Sequence, residues 1–166
     1  SVHAPGFRPG PSLVARFAEV RPSDVHLDLV LVNNGSTDRS AAVLAEVVER
    51  EPFRTFCRVA TVPQNQGYGH GIWTGLQETD AEYLGWSHAD LQTDPADVFR
   101  AFVKLRSIPD RHRILVKGAR QRRDIGGALL TYGMQTMARF ILRQPLRDIN
   151  AQPKVFHRSL LAHVVA

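Results

Sequence analysis

Apolar residues along this chain switch between two spacings. Short runs of aliphatic and β-branched residues alternate with longer segments in which apolar positions recur every three or four residues. Leu13 to Val20 predicts a short helix. Leu27-Asp28-Leu29-Val30-Leu31-Val32 predicts a buried strand, broken by Asn33-Asn34-Gly35. Apolar positions 43, 44, 47 and 48 predict a helix over Ser36 to Arg50, capped by Ser36 or Thr37 with Asp38 in its first turn. Phe56 to Val62 predicts a second strand, Tyr68 to Thr79 a helix opened by glycines, and Glu82 to Ser87 a third strand. Pro95 to Arg106 predicts a helix with proline in its first turn, and Arg113 to Lys117 a fourth strand. Gly126 to Leu142 predicts an amphipathic helix, and Val155 onward the start of another. Ser1 to Pro11, with three prolines and two glycines, is a loop.

Strands alternating with helices predict one α/β domain over residues 1–166, with a mostly parallel sheet flanked by helices. In such sheets ligands bind beyond the carboxyl ends of the strands. The polar and glycine-rich segments fall there: Asn33 to Gly35 after the first strand, Asn65 to Gly71 after the second, His88 to Asp94 after the third and Gly118 to Arg123 after the fourth. Four successive strand ends of this character point to a site.

Composition narrows the class. Hydrophobic residues make up 43% and charged residues 22% of the chain, which excludes global disorder. No apolar run reaches the roughly 18–20 residues of a membrane span, and Ser1 to Gly10 holds no apolar stretch of signal-peptide type. The single cysteine, Cys57, excludes an internal disulfide and suits a reducing, cytoplasmic setting. The net charge of +5 is unevenly placed: Arg111 to Arg147 holds nine Lys/Arg against one acid, Asp124. A basic segment on a slightly acidic body implies an anionic partner. Nucleic acid is not expected, because aromatic residues do not interleave with the basic loop and no nucleic-acid module is recognisable.

Each motif has a plain structural explanation beside its chemical one. Asn33-Asn34-Gly35-Ser36-Thr37-Asp38 can be a turn with a helix cap, or a place where backbone N–H groups and amides meet a nucleotide. Asn65-Gln66-Gly67-Tyr68-Gly69-His70-Gly71 lets backbone approach closely, but its GxGxG spacing is not a dinucleotide fingerprint. Asp90, Gln92 and Asp94 alternate after a strand, so an extended backbone would point them one way. Such oxygen ligands suit Mg2+ or Mn2+ bridging to phosphate. Arg120, Arg122 and Arg123 offer forked donors for phosphate oxygens. Gly126 to Leu146, with Arg139 and Arg143 among its apolar residues, can lie on a membrane surface or pack on the sheet.

As an ordered set, these motifs resemble family 2 glycosyltransferases of the GT-A fold, and among them the polyprenyl-phosphate sugar synthases of the dolichol-phosphate mannose synthase type. Asn33-Asn34-Gly35-Ser36-Thr37-Asp38 matches the family's Asp-Asp-Gly-Ser-Thr-Asp turn. Asn65-Gln66-Gly67-Tyr68-Gly69-His70-Gly71-Ile72 with Gly75 matches its glycine-rich segment, and His88-Ala89-Asp90-Leu91-Gln92-Thr93-Asp94-Pro95 its Asp-Ala-Asp-Leu-Gln-x-x-Pro motif. Gly118-Ala119-Arg120 matches its Gly-x-Arg, and Asp148 through Val155 to Arg158 its closing element. The family's opening Pro-x-Tyr-Asn-Glu strand has no match, so a GT-A domain lacking its first strand and incomplete at its N-terminus is expected. Asparagines replace the acids of the first motif, and His88 replaces the first acid of the third.

The resemblance implies inverting transfer of a sugar from a UDP- or GDP-linked donor, with Mg2+ or Mn2+ as cofactor. It implies donor contacts from Asn33, Asn34, Asn65, Gly67, His88, Asp90, Gln92 and Arg120, with Asp90 and Gln92 as metal ligands and Asp90 and Asp148 as catalytic residues, Asp148 being the candidate base. The charge block suggests a polyprenyl-phosphate acceptor met by Arg120, Arg122, Arg123 and Arg139, on a protein peripheral to the cytoplasmic membrane face. A nucleotidyltransferase and a relative that binds nucleotide or membrane without catalysis are the alternatives.

Overall fold

The computed structural model describes residues 11–90, 93–119 and 151–164. Its elements are α1 (Pro11–Val20), β1 (Leu29–Asn34), α2 (Ser40–Val48), β2 (Cys57–Val62), α3 (Tyr68–Gln77), β3 (Tyr83–Trp86), α4 (Pro95–Arg106), β4 (Leu115–Lys117), β5 (Lys154–His157) and α5 (Leu161–Val164). The α/β alternation read from the spacing is present. The expected helix over Gly126 to Leu142 lies outside the described residues.

β1 and β2 pair in parallel, in register from Leu29 opposite Cys57 to Asn34 opposite Val62. β5 lies between β3 and β4 and runs antiparallel to both, so β3 and β4 share a direction. The helix expected from Val155 is therefore a strand. Val155 and Phe156 are β-formers after a proline, and each finds a separate hydrophobic layer: Val155 packs with Ala101 and Leu105 of α4, Phe156 with Leu76 of α3 and Leu84 of β3. That sandwich puts α3 and α4 on opposite faces of the three-stranded unit. Only after His157 does the chain turn helical, through a 3-10 turn at Arg158–Leu160 into α5.

α1 ties the two halves together. Leu13 and Phe17 pack on Phe99 of α4, while Val14, 1% exposed, packs with Val47 of α2 and Cys57 of β2. The strand expected to be buried over Leu27 to Val32 starts instead at Leu29, and those residues are only partly buried; the buried position of β1 is Asn33. Among the described residues β1 has a strand neighbour on one side alone, which leaves its aliphatic edge half covered. α2 also starts later than expected. Neither Ser36 nor Thr37 caps it; the Asp38 carboxylate accepts from the Ser40 N–H at 2.9 Å instead. Among the described residues no helix is long and apolar enough to cross a membrane.

Candidate functional site

The loops after β1 and β2 are knit into one wall. At Gly35 the backbone turns with φ +66°, and a Cβ there would stand 2.3 Å from the Asn65 backbone nitrogen. Only glycine allows that approach. Asn33 and Asn34 are adjacent strand residues and so point opposite ways. The buried Asn33 side chain accepts from the Ser36 N–H through Oδ1 at 3.2 Å, which builds the turn. The Asn34 amide donates to Asn65 Oδ1 at 3.3 Å and to the Gly67 carbonyl at 3.0 Å, and the Gly67 N–H donates back to Asn65 Oδ1 at 2.8 Å. α3 then packs tightly on β1: a Cβ on Gly71 would touch the Asn34 side chain, and one on Gly75 would come within 2.8 Å of Val32.

The ends of β3 and β4 and the start of β5 make the facing wall. Trp86 pairs with Lys154, whose ammonium lies 5.2 Å over the indole ring. Gly118 donates to the Pro153 carbonyl at 2.8 Å, and a Cβ on Gly118 would strike the Gln152 carbonyl oxygen at 2.0 Å. The glycine of Gly118-Ala119-Arg120 thus lets the closing segment lie against the end of β4. Arg158 serves the far end of β3: its guanidinium donates to the carbonyls of Ala81 and Thr79.

Tyr68, at the start of α3, joins the two walls. Its ring stacks on His88, with centroids 5.5 Å apart and planes 24° from parallel. Its hydroxyl accepts from the Gln152 amide at 3.1 Å. Burial raises the Tyr68 phenol pKa above its ordinary value; the Trp86 indole opposes that and the Asp90 carboxylate adds to it. The indole N–H lies beside the phenol without reaching hydrogen-bond geometry. Asp90 and Asp94 part company. Asp90 is half-buried near Tyr68. Asp94 caps α4, accepting from the Ala96 N–H at 2.9 Å, and pairs with Arg16 of α1 at 3.1 Å. The Arg16 guanidinium, with the Ala96 N–H, holds the Asp94 carboxyl below its usual range.

Four buried side-chain atoms at these strand ends have no hydrogen-bond partner, Asn34 Oδ1, Trp86 Nε1, Ser87 Oγ and Gln152 Oε1, and of their residues Trp86 and Gln152 lie beside Tyr68. Each such atom costs about 1–3 kcal/mol in a folded protein. Their gathering at one strand-end surface is what a ligand site requires. Of these residues, sequence reasoning singled out Asn34 alone. Trp86 and Ser87 were read as strand, and Tyr68 and Gln152 only as positions within motifs.

Asn34, Asn65, Gly67, His88 and Asp90 are brought to these strand ends, whereas Asn33, expected as a donor contact, is buried and spent on the turn to Ser36. Gln92, Arg120, Arg122, Arg123, Arg139 and Asp148 lie outside the described residues. Two clefts, of about 520 Å³ between the end of α1 and α4 and about 350 Å³ beside Leu27 and Phe56, are lined by none of these residues. As a metal site the described residues offer the Asp90 carboxylate, and among them no three His, Cys, Asp or Glu side chains converge. That donor set fits a hard cation sharing its ligands with a bound diphosphate, rather than one caged by protein.

Residues 11–163 match the family described as Glycosyl transferase family 2. Undecaprenyl-phosphate 4-deoxy-4-formamido-L-arabinose transferase from Pseudomonas paraeruginosa (strain DSM 24068 / PA7) is 35% identical over 75 residues. That stretch covers 44% of this chain and 21% of the relative's length.

Proposed function

The chain belongs to glycosyltransferase family 2 and has the GT-A fold of that family, and from that premise we propose that it moves a sugar from a nucleotide-diphosphate donor to a polyprenyl phosphate. The family is one of glycosyltransferases; the transfer itself, with its donor base, metal and acceptor, is the proposed part. The observation that carries the reading is the group of buried, unpartnered polar atoms at the ends of β1 and β3 and in the turn before β5. The matched relative carries undecaprenyl phosphate in its name, and the basic run from Arg111 to Arg147 supports an anionic acceptor.

In this reading Asn34 faces the nucleoside while Asn33 holds the turn that presents it. Asp90 and Gln92 would hold Mg2+ or Mn2+ alongside the donor diphosphate, and Arg120 would contact phosphate. Such an ion would supply positive charge against the departing diphosphate. A phosphate oxygen of the acceptor attacks the anomeric carbon, the bond to the diphosphate oxygen breaks on the opposite face, and the nucleoside diphosphate leaves. A lipid phosphate has its second pKa near about 6 and is already a dianion at neutral pH, so it needs no base. A hydroxyl acceptor would require one, and Asp148 is then the candidate. Arg122, Arg123 and Arg139 would attract the lipid phosphate at the cytoplasmic face of a membrane.

The test is transfer of radiolabelled sugar from UDP- and GDP-linked donors to polyprenyl phosphate in lipid vesicles. Label is expected in the organic phase with one donor. Label in no lipid with any common donor would refute the acceptor.

A further inference from the structure

The four unpartnered atoms are not a random scatter. Among the described residues one other buried side-chain atom lacks a partner, Arg111 Nε, and it lies before β4, at the opposite end of that strand from Gly118. The four at the site come from β1, the end of β3 and the turn before β5. Gln152 reaches the Tyr68 hydroxyl, Trp86 lies beside it, Ser87 follows Trp86, and Asn34 holds the carbonyl of Gly67, the residue before Tyr68.

Their chemistry says what they can bind. Asn34 Oδ1 and Gln152 Oε1 are acceptors, and Ser87 Oγ can accept as well as donate. The Gln152 nitrogen donates to the Tyr68 hydroxyl, while the amide oxygen has no partner. A diphosphate could accept from the Ser87 hydroxyl and the Trp86 indole, but it cannot satisfy the two amide oxygens, since its own oxygens only accept. A cation held here by protein alone would want carboxylates to supply charge beside such neutral oxygens, and no three His, Cys, Asp or Glu side chains converge among the described residues. A hydroxylated ring presents several O–H donors close together and fits.

Resting on the donor reading above, we infer that Gln152 and Ser87 accept hydrogen bonds from ring hydroxyls of the nucleotide-sugar. Tyr68 is the positioning residue that aims the Gln152 amide. The ring is the ribose or the transferred sugar, and these share the same chemistry.

Calorimetry with Mn2+ and four probes, UDP, GDP, UDP-glucose and GDP-mannose, tests this on the whole chain. Gln152→Met keeps the length of the side chain and removes both polar atoms. It is expected to weaken binding of the preferred nucleotide-sugar about five- to tenfold, the value of one lost hydrogen bond. Gln152→Glu keeps an acceptor oxygen and should bind more tightly than Gln152→Met. Loss shared equally by the bare nucleoside diphosphate assigns the ribose; loss confined to the nucleotide-sugar assigns the transferred sugar. Tyr68→Phe keeps the ring on His88 and should weaken the same probes at an unchanged melting temperature, which gives the answer should Gln152→Met not fold. Wild-type affinity for every probe in both Gln152→Met and Tyr68→Phe overturns the subsite alone. A wild-type chain that binds none of the four overturns the donor reading and the subsite with it.

Discussion

Replacing Gly35 with alanine probes the hinge on which the first wall of the site turns. The backbone there has φ +66°, a left-handed conformation that costs an alanine about 1–2 kcal/mol. The new Cβ would also stand 2.3 Å from the Asn65 nitrogen and 2.7 Å from the Gln64 carbonyl carbon. Both are backbone atoms, so no side chain can swing aside, and overpacking of this kind costs about 1–3 kcal/mol. The sum, roughly 2–5 kcal/mol, is a large part of the roughly 5–15 kcal/mol that stabilises a typical domain. Relief requires the 64–65 backbone to retreat, which stretches the 3.3 Å bond from Asn34 to Asn65 and carries Gly67 with it. Gly69→Ala is the matched control. It lies in the first turn of α3, at ordinary φ, with nothing within 4 Å of the new methyl. There alanine should stabilise by about 0.4–1 kcal/mol, by restricting the unfolded chain. Urea unfolding followed by circular dichroism reads both. With a slope of about 2 kcal/mol/M, Gly35→Ala should lower the midpoint by about 1–2.5 M while Gly69→Ala raises it slightly. Equal midpoints for the two variants would refute the steric account of the loop.

Four further outcomes follow from the same coordinates. Gly118→Ala would press a methyl to 2.0 Å from the Gln152 carbonyl oxygen; it should lower the urea midpoint and weaken nucleotide-sugar binding more than Gly69→Ala does, and parity with that control would refute the packing. Asp94→Asn should change the pH dependence of stability. The folded-state carboxyl of Asp94 lies below its unfolded value, so its contribution is present above about pH 4 and fades as pH falls through the folded value. The gap between wild type and variant should shrink from pH 7 to pH 3, and a constant gap would count against the Arg16 pairing. Burial pushes the Cys57 thiol up to about 11, with Asp28 adding to it. The native protein at pH 8 should therefore react with a disulfide reagent far more slowly than the urea-unfolded chain, and equal rates would refute the burial. Asp90→Asn should remove the gain in nucleotide affinity that Mn2+ provides, and calorimetry showing the gain intact would refute its assigned role.

Local chemistry made much of this fold legible. Asp94-Pro95 marks a cap and a first helical turn, and α4 begins at Pro95 as read. What escaped were decisions made by distant chain. Val155 to His157 is a strand because β3 and β4 leave a slot between them, and no spacing within the segment announces it. The two adjacent asparagines were indistinguishable until the register of β1 on β2 turned Asn33 inward and Asn34 toward Asn65 and Gly67. Tyr68 and Gln152 are separated by 84 positions and become one unit only through the fold. Gly118 was read as part of a basic loop, and its reason, the Gln152 carbonyl, likewise belongs to another segment.

The acidic stretch after β3 shows how a motif divides its labour. Asp94, which alternation would place beside Asp90, is committed to α4 and to Arg16. A helix N-terminus and a guanidinium favour its charged form, so it is a poor candidate for a shifting ligand. His88, where the family pattern has an acid, stacks on Tyr68. An imidazole there adds no negative charge to the floor of the site, and neither do the paired asparagines across from it. Asp90 is then the one carboxylate that the described residues place near Tyr68. With so little fixed negative charge, a divalent cation gains most of its attraction from the diphosphate it accompanies. Metal affinity should accordingly rise steeply when UDP or GDP is present, and Mn2+ alone should bind weakly. Electron paramagnetic resonance of Mn2+ with and without nucleotide measures that difference, and tight binding of the bare ion would overturn the argument.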